Sequence, residues 1–158
     1  MDAGHSIDSA DATAVAEACA KKMWLDDRAS KGLGMSIQRI APGEAVISMT
    51  VRKDMTNGHG ICHGGFIFTL ADSTFAFACN TYDQRAVAQQ CAVTFLRSVN
   101  EGETLTAHAI ERARAERSGV YDVTVRDSHN MVIAEFRGHS RTISGRLLDS
   151  DSLHIDTK

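Results

Sequence analysis

The sequence predicts an α+β domain in which an antiparallel sheet of five to six strands wraps a long central helix, with an additional helix at the amino terminus. Three observations predict it. Residues 65–79, "GFIFTLADSTFAFAC", are apolar on nearly every side, and a helix of that kind needs covering on every side. Beyond Asn80 the apolar period drops from that of a helix to that of a strand, and Val, Thr, Ile and aromatic residues dominate. Ahead of the helix, Pro42 and Gly43 separate two further strand-like runs, because proline presets one turn angle and glycine permits the other.

Taken in order, residues 1–11 are polar and unpatterned and are expected to be disordered. From Ala12 to about Lys31 apolar residues recur at helical intervals, and Gly32 and Gly34 end the pattern. "GMSIQRI" and "AVISMTV" read as the two strands around the Pro-Gly turn. A glycine-rich loop holding Asn57, Gly58, His59 and Gly60 leads into the apolar helix, which Asn80 and a polar turn around Asp83 close. Four strand segments follow, "AVAQQCAVTFLRSV", "ETLTAHAIERARAERS", "GVYDVTVRD" and "MVIAEFRGHSRTI", with hairpin turns expected near Ser118-Gly119 and at "DSHN". Residues 12–146 thus form a single domain, and the acidic, unpatterned residues 147–158 are expected to be a disordered tail.

Composition narrows the function. The 17 basic and 20 acidic residues create no global field for recruiting nucleic acid or an anionic membrane, so neither is an expected partner. The amino terminus lacks a cationic start followed by an apolar run, and no segment reaches the length of a membrane span, so a cytoplasmic protein is expected. Cys19, Cys62, Cys79 and Cys91 have no paired spacing, and no disulfide framework is expected. His59, Cys62 and His63 offer at most three metal ligands in a glycine-rich loop without a clear fourth, so no metal is expected.

One residue is out of place in this scheme. Asp72 lies in the middle of the apolar helix, and no cation one helical turn away neutralises it. The alternatives are a paired core carboxylate and a working one. Positions 65, 69, 72, 73 and 76 form a small, polar stripe that a substrate or a second copy of the chain can meet. At the other end, "HGG" starts the helix, where backbone N–H groups lack internal partners and glycine admits a ligand close to them. Such an amide suits a developing oxyanion. From Gly64 to Asp72 the helix rises by about 12 Å at about 1.5 Å per residue, too far for both groups to serve one carbonyl. An antiparallel pairing of two copies removes the difficulty, bringing Asp72 of one beside Gly64 of the other.

The run "NGHGICHGGFIFTLADSTFAFACN", followed by "FLR", "GETL", "SGVYDVTV" and "FRGHS", resembles the PaaI-type phenylacetyl-CoA thioesterases of the hotdog superfamily, from about Met35 to Thr142. The resemblance implies the hotdog fold, usually as a dimer of dimers, and an acyl-CoA substrate with no cofactor. It implies that Asp72 is the catalytic carboxylate, as base or nucleophile, and that Gly64 supplies the oxyanion N–H. His63 would fix the loop or the thioester end, and Asn57 would orient the carbonyl or the water. A polar residue on the strand after the helix assists the acid in relatives, with Gln89 or Gln90 the candidate here. Coenzyme A contacts are implied for Arg117, Ser118, Gly119 and Arg141. Seven of the twelve arginines lie between Arg112 and Arg146, compatible with a local phosphate-binding patch. A non-catalytic acyl-CoA-binding module and a hotdog hydratase or dehydratase are the competing functions.

Overall fold

The computed structural model describes residues 9–148. Six strands form one antiparallel sheet: β1 (Ser36–Ala41), β2 (Glu44–Thr50), β3 (Ala86–Phe95), β4 (Thr104–Ala115), β5 (Ser118–Arg126) and β6 (Val132–Thr142), in the order β1-β2-β4-β5-β6-β3. Ala41 pairs with Glu44 across Pro42-Gly43, and Gly43 takes a φ of 69°, the left-handed conformation that the turn needs.

The central helix α3 (Gly64–Cys79) lies on the concave face of this sheet. His63 caps its start: the backbone there is extended, and Nδ1 accepts the Gly65 N–H at 2.9 Å. Thr69 and Thr74 return their hydroxyls to the carbonyls of Gly65 and Leu70, so neither leaves a polar atom unpaired in an apolar helix. Asn80 ends it, donating to Ala76 O and exchanging two bonds with the Ala86 backbone, which ties the helix to the first residue of β3. Leu70, Ala71, Phe75 and Ala78 are wholly buried, and the Phe75 ring packs against Tyr121 and Phe136 at centroid distances of 5.5 and 5.9 Å. Gly138 on β6 makes that packing possible, since a Cβ there would stand 2.9 Å from the Phe75 ring.

The front of the chain departs from the single helix expected between Ala12 and Lys31. Helix α1 (Ser9–Asp26) begins earlier, taking in three residues assigned from sequence to a disordered terminus, and it stops where Asp27 turns to cap a new short helix. The Asp27 carboxylate accepts the Ser30 N–H at 2.9 Å, opening α2 (Arg28–Gly32). Trp24 packs on Phe77 at 6.0 Å, so these helices cover part of α3 that the sheet does not reach. At the other end, the N–H groups of Leu147 and Leu148 bind Asp83. The rest of the two segments expected to be disordered, residues 1–8 and 149–158, lies outside the described residues.

The hairpin between β4 and β5 also differs. Ala115 pairs with Ser118, so the two-residue turn is Glu116-Arg117, and Ser118 and Gly119 belong to β5. Glu116 adopts a φ of 51°, which a non-glycine residue takes uncommonly and which the sequence does not advertise. The Asp127–Asn130 turn forms where expected, its Asp127 carboxylate accepting the N–H groups of His129 and Met131.

Candidate active site

The loop from Asn57 to His63 is built by short-range bonds. Asn57 Oδ1 accepts the His59 N–H at 2.9 Å, while the Asn57 N–H reaches Ile61 O at 2.8 Å, folding the glycines into a tight loop. His63 N–H binds Met55 O, so the histidine arrives with its ring over the first turn of α3. Because Nδ1 accepts from Gly65, a neutral ring carries its proton on Nε2. The Gly65 amide is thereby occupied. Gly64 occupies the first position of the helix, and among the described residues nothing accepts its N–H.

Beside Gly64 lies an open cavity of about 320 Å³ walled by Asn57, Ile61, Cys62, Ile67 and Phe95. The Phe95 ring fits against the bare Cα: a Cβ on Gly64 would stand 2.9 Å from it. Asp72 is not among the walls. Within one chain, Gly64 and Asn57 share a pocket, and the carboxylate sits two helical turns away.

Asp72 is half-buried on α3 and makes no ion pair among the described residues. Burial pushes its carboxyl above the ordinary carboxylate value, and a hydrogen bond from Cys91 offsets this in part. Cys91 Sγ stands 3.6 Å from Oδ1. The neighbour on the strand is therefore a thiol, in place of the expected Gln89 or Gln90. Both glutamines are exposed, because β3 carries an irregularity between Ala88 and Gln90 that leaves Gln89 without a partner on β6. Ser73, on the same polar stripe, accepts from the Ser30 hydroxyl at 3.1 Å, so α2 covers that part of the stripe.

Arg117, Ser118, Gly119 and Arg141 come together at one end of the sheet. Ser118 pairs with Arg141, Gly119 pairs with Ser140, and Arg117 donates twice to Thr142 O. The wider arginine patch does not assemble. Arg112 and Arg137 share Asp122, Arg146 binds Asp83, and Arg114 stacks 3.6 Å over the Tyr82 ring near Glu111. Arg126 donates to Asn130 O at the other hairpin, and among the described residues Arg117 and Arg141 are the ones beside the Glu116-Arg117 turn with no carboxylate partner. Among the described residues no three His, Cys, Asp or Glu side chains gather in a metal-binding group.

A six-stranded antiparallel sheet around one apolar helix, with a bare amide at the helix start and a carboxylate at its middle, defines a hotdog-fold domain. The chain belongs to the thioesterase superfamily, whose family model matches residues 59–134. It is 43% identical to the acyl-coenzyme A thioesterase PaaI of Escherichia coli (strain K12) over 81% of this chain and 91% of that protein. The solved structure of the E. coli PaaI protein from the phenylacetic acid degradation operon superposes with a TM-score of 0.84 at 42% identity, covering 85% of this chain and 97% of that one. An asparagine-to-aspartate variant of the phenylacetic acid degradation protein PaaI from Thermus thermophilus gives a TM-score of 0.72 at 37% identity, covering 74% of this chain and 100% of that one.

Proposed function

We propose that this chain is an acyl-CoA thioesterase that hydrolyses phenylacetyl-CoA and ring-hydroxylated phenylacetyl-CoA to the free acid and coenzyme A, in the degradation of aromatic compounds in the cytoplasm. The observation that carries the proposal is Asp72, a carboxylate held half-buried in the middle of an apolar helix with no cation paired to it among the described residues. A purely structural carboxylate there costs stability, and a binding module has no use for it.

In this reading the thioester carbonyl lies against the Gly64 N–H, with Asn57 and the Nε2–H of His63 beside it. Asp72 takes a proton from water as the water oxygen adds to the carbonyl carbon, or it adds directly and forms a mixed anhydride that water then opens. The oxyanion rests on the Gly64 amide until the C–S bond breaks and the coenzyme A thiolate leaves. Arg117 and Arg141, with the Ser118-Gly119 backbone, hold the phosphates of the coenzyme.

The distance along α3 between Gly64 and Asp72 calls for a second copy, so that each site takes its amide from one protomer and its carboxylate from the other. Unequal sheet edges support self-association. The β1 edge carries an irregularity at Gln38 and the charge of Arg39, whereas β3 and its continuation leave Val87, Phe95 and Leu96 45–53% exposed. A homotetramer built as a dimer of dimers is the expected assembly.

Thiol release from phenylacetyl-CoA by wild type and Asp72→Asn tests the function. The variant is expected to lose about two to four orders of magnitude in kcat. Coenzyme A ester binding without turnover by the wild type would point instead to a sensor.

A further inference from the structure

A carboxylate that reacts must be held in one orientation, and among the described residues Asp72 has no cation to hold it. The groups that face it are few. Cys91 approaches from β3, Cys79 lies two turns further along α3, and from α2 Ser30 engages the adjacent Ser73 instead. Among the described residues the Cys91 thiol is the one hydrogen-bond donor that Asp72 receives from outside its own helix.

The fold explains why so short a side chain reaches. Cys91 pairs with Gly138, the glycine against whose bare Cα the Phe75 ring packs. Without a Cβ at that point the sheet comes in close to α3, and the turn of the helix that precedes Phe75 presents Asp72 to the strand. The unpaired Gln89 then resets the alternation of side chains, so that Cys91 faces the helix.

We propose that Cys91 is a positioning residue for Asp72, its S–H fixing Oδ1 and leaving Oδ2 to the reacting water or acyl carbon. The inference rests on the reading of Asp72 as the reacting carboxylate. The thiol is suited to donate and unsuited to react. Burial, followed by the neighbouring Asp72 charge, pushes it to about 11, so it stays protonated across the working range and is a poor nucleophile.

The test is the pH dependence of kcat and kcat/KM for phenylacetyl-CoA in wild type, Cys91→Ala and Cys91→Ser. In the alanine variant the expected result is a kcat about tenfold lower, a KM within about twofold, and an acidic limb displaced to higher pH, because the ionised carboxylate has lost a donor. Serine keeps a donor and is expected to restore both kcat and the limb to within about threefold of wild type. An alanine variant with the wild-type profile overturns the proposal, as do alanine and serine variants that lose equal activity with the limb unmoved, the mark of packing alone. The infrared S–H stretch, assigned by its disappearance in Cys91→Ser, gives a readout on protein that needs no turnover. It is expected to shift on Asp72→Asn, and an unmoved band also overturns the proposal. Full activity in Asp72→Asn would instead overturn the underlying assignment of the carboxylate, whatever Cys91 does.

Discussion

At the scale of single residues, the Gly64 amide is the group hardest to remove and the most informative. It occupies the first helical position, where proline is tolerated because the N–H has no helical partner, and His63 already has the extended backbone that precedes proline. Gly64→Pro deletes the donor, while Gly64→Ala adds only the Cβ that meets Phe95. Proline is expected to lower kcat by about two to three orders of magnitude beyond alanine, and steady-state thiol release on both variants checks it. Asp72 carries a second expectation. Its folded-state pKa is raised, so ionisation opposes folding: stability is highest below the ordinary carboxylate value and falls as pH rises through the folded one. Asp72→Asn is therefore expected to melt above wild type at neutral pH, with the difference closing as the pH approaches about 4. The sequence put Asn57, His63, Gly64 and Asp72 forward as candidates because they fall within one short contiguous segment, and the structure brings Asn57 and Gly64 to one cavity. Cys91 was not legible, since its facing depends on a strand irregularity that a simple alternation passes over. The sole trace of it is the Gln89-Gln90 pair, two polar residues in succession inside an apolar strand.

Elements follow their caps and turns. The extent of α3 was readable because its ends carry distinct chemistry, a histidine and two glycines at one and an asparagine at the other. The break in the amino-terminal helix was not, because Asp27 serves equally as a helix residue and as a cap, and only the Ser30 N–H decides between them. The β4–β5 turn misled for a related reason: Ser118-Gly119 is the stronger turn signal, yet the register places Glu116 and Arg117 at the corner. Packing between elements gives its own expectation. A methyl group at Gly138 would collide with the Phe75 ring, which is fully buried and unable to retreat. Gly138→Ala is expected to destabilise the chain by about 1–3 kcal/mol, measured by urea unfolding, and to displace α3 from β3 enough to lower kcat as well.

For the whole molecule, the proposed sharing of each site between two protomers makes a prediction about mixtures. If Asp72→Asn and Gly64→Pro chains are inactive alone, exchanging them in equal amounts leaves half the dimers mixed, each with one intact site, and about a quarter of wild-type activity returns. No recovery would place both groups on one chain. Sequence foresaw the sheet wrapped on a helix, but not the distribution of charge over its surface, because an arginine count cannot tell which guanidinium finds a carboxylate. Asp83 shows the same limit. Burial works against its ionisation, yet the bonds from Leu148, Arg146 and Leu147 outweigh it and hold the carboxyl below its usual range. Its contribution is present above the ordinary carboxylate pKa and is lost as pH falls through the lower folded value. Asp83→Ala is expected to cost about 1–3 kcal/mol by urea unfolding at neutral pH, and less in acid.

Asp83 also lies close to α1, its charge and that of Arg146 reaching the Cys19 thiol, which burial pushes up. One carboxylate residue thus sits between the front helix and the last described turn, which it holds through Arg146, Leu147 and Leu148. Loosening that contact by Asp83→Ala is accordingly expected to quicken amide hydrogen exchange in α1 as well as around Leu147 and Leu148.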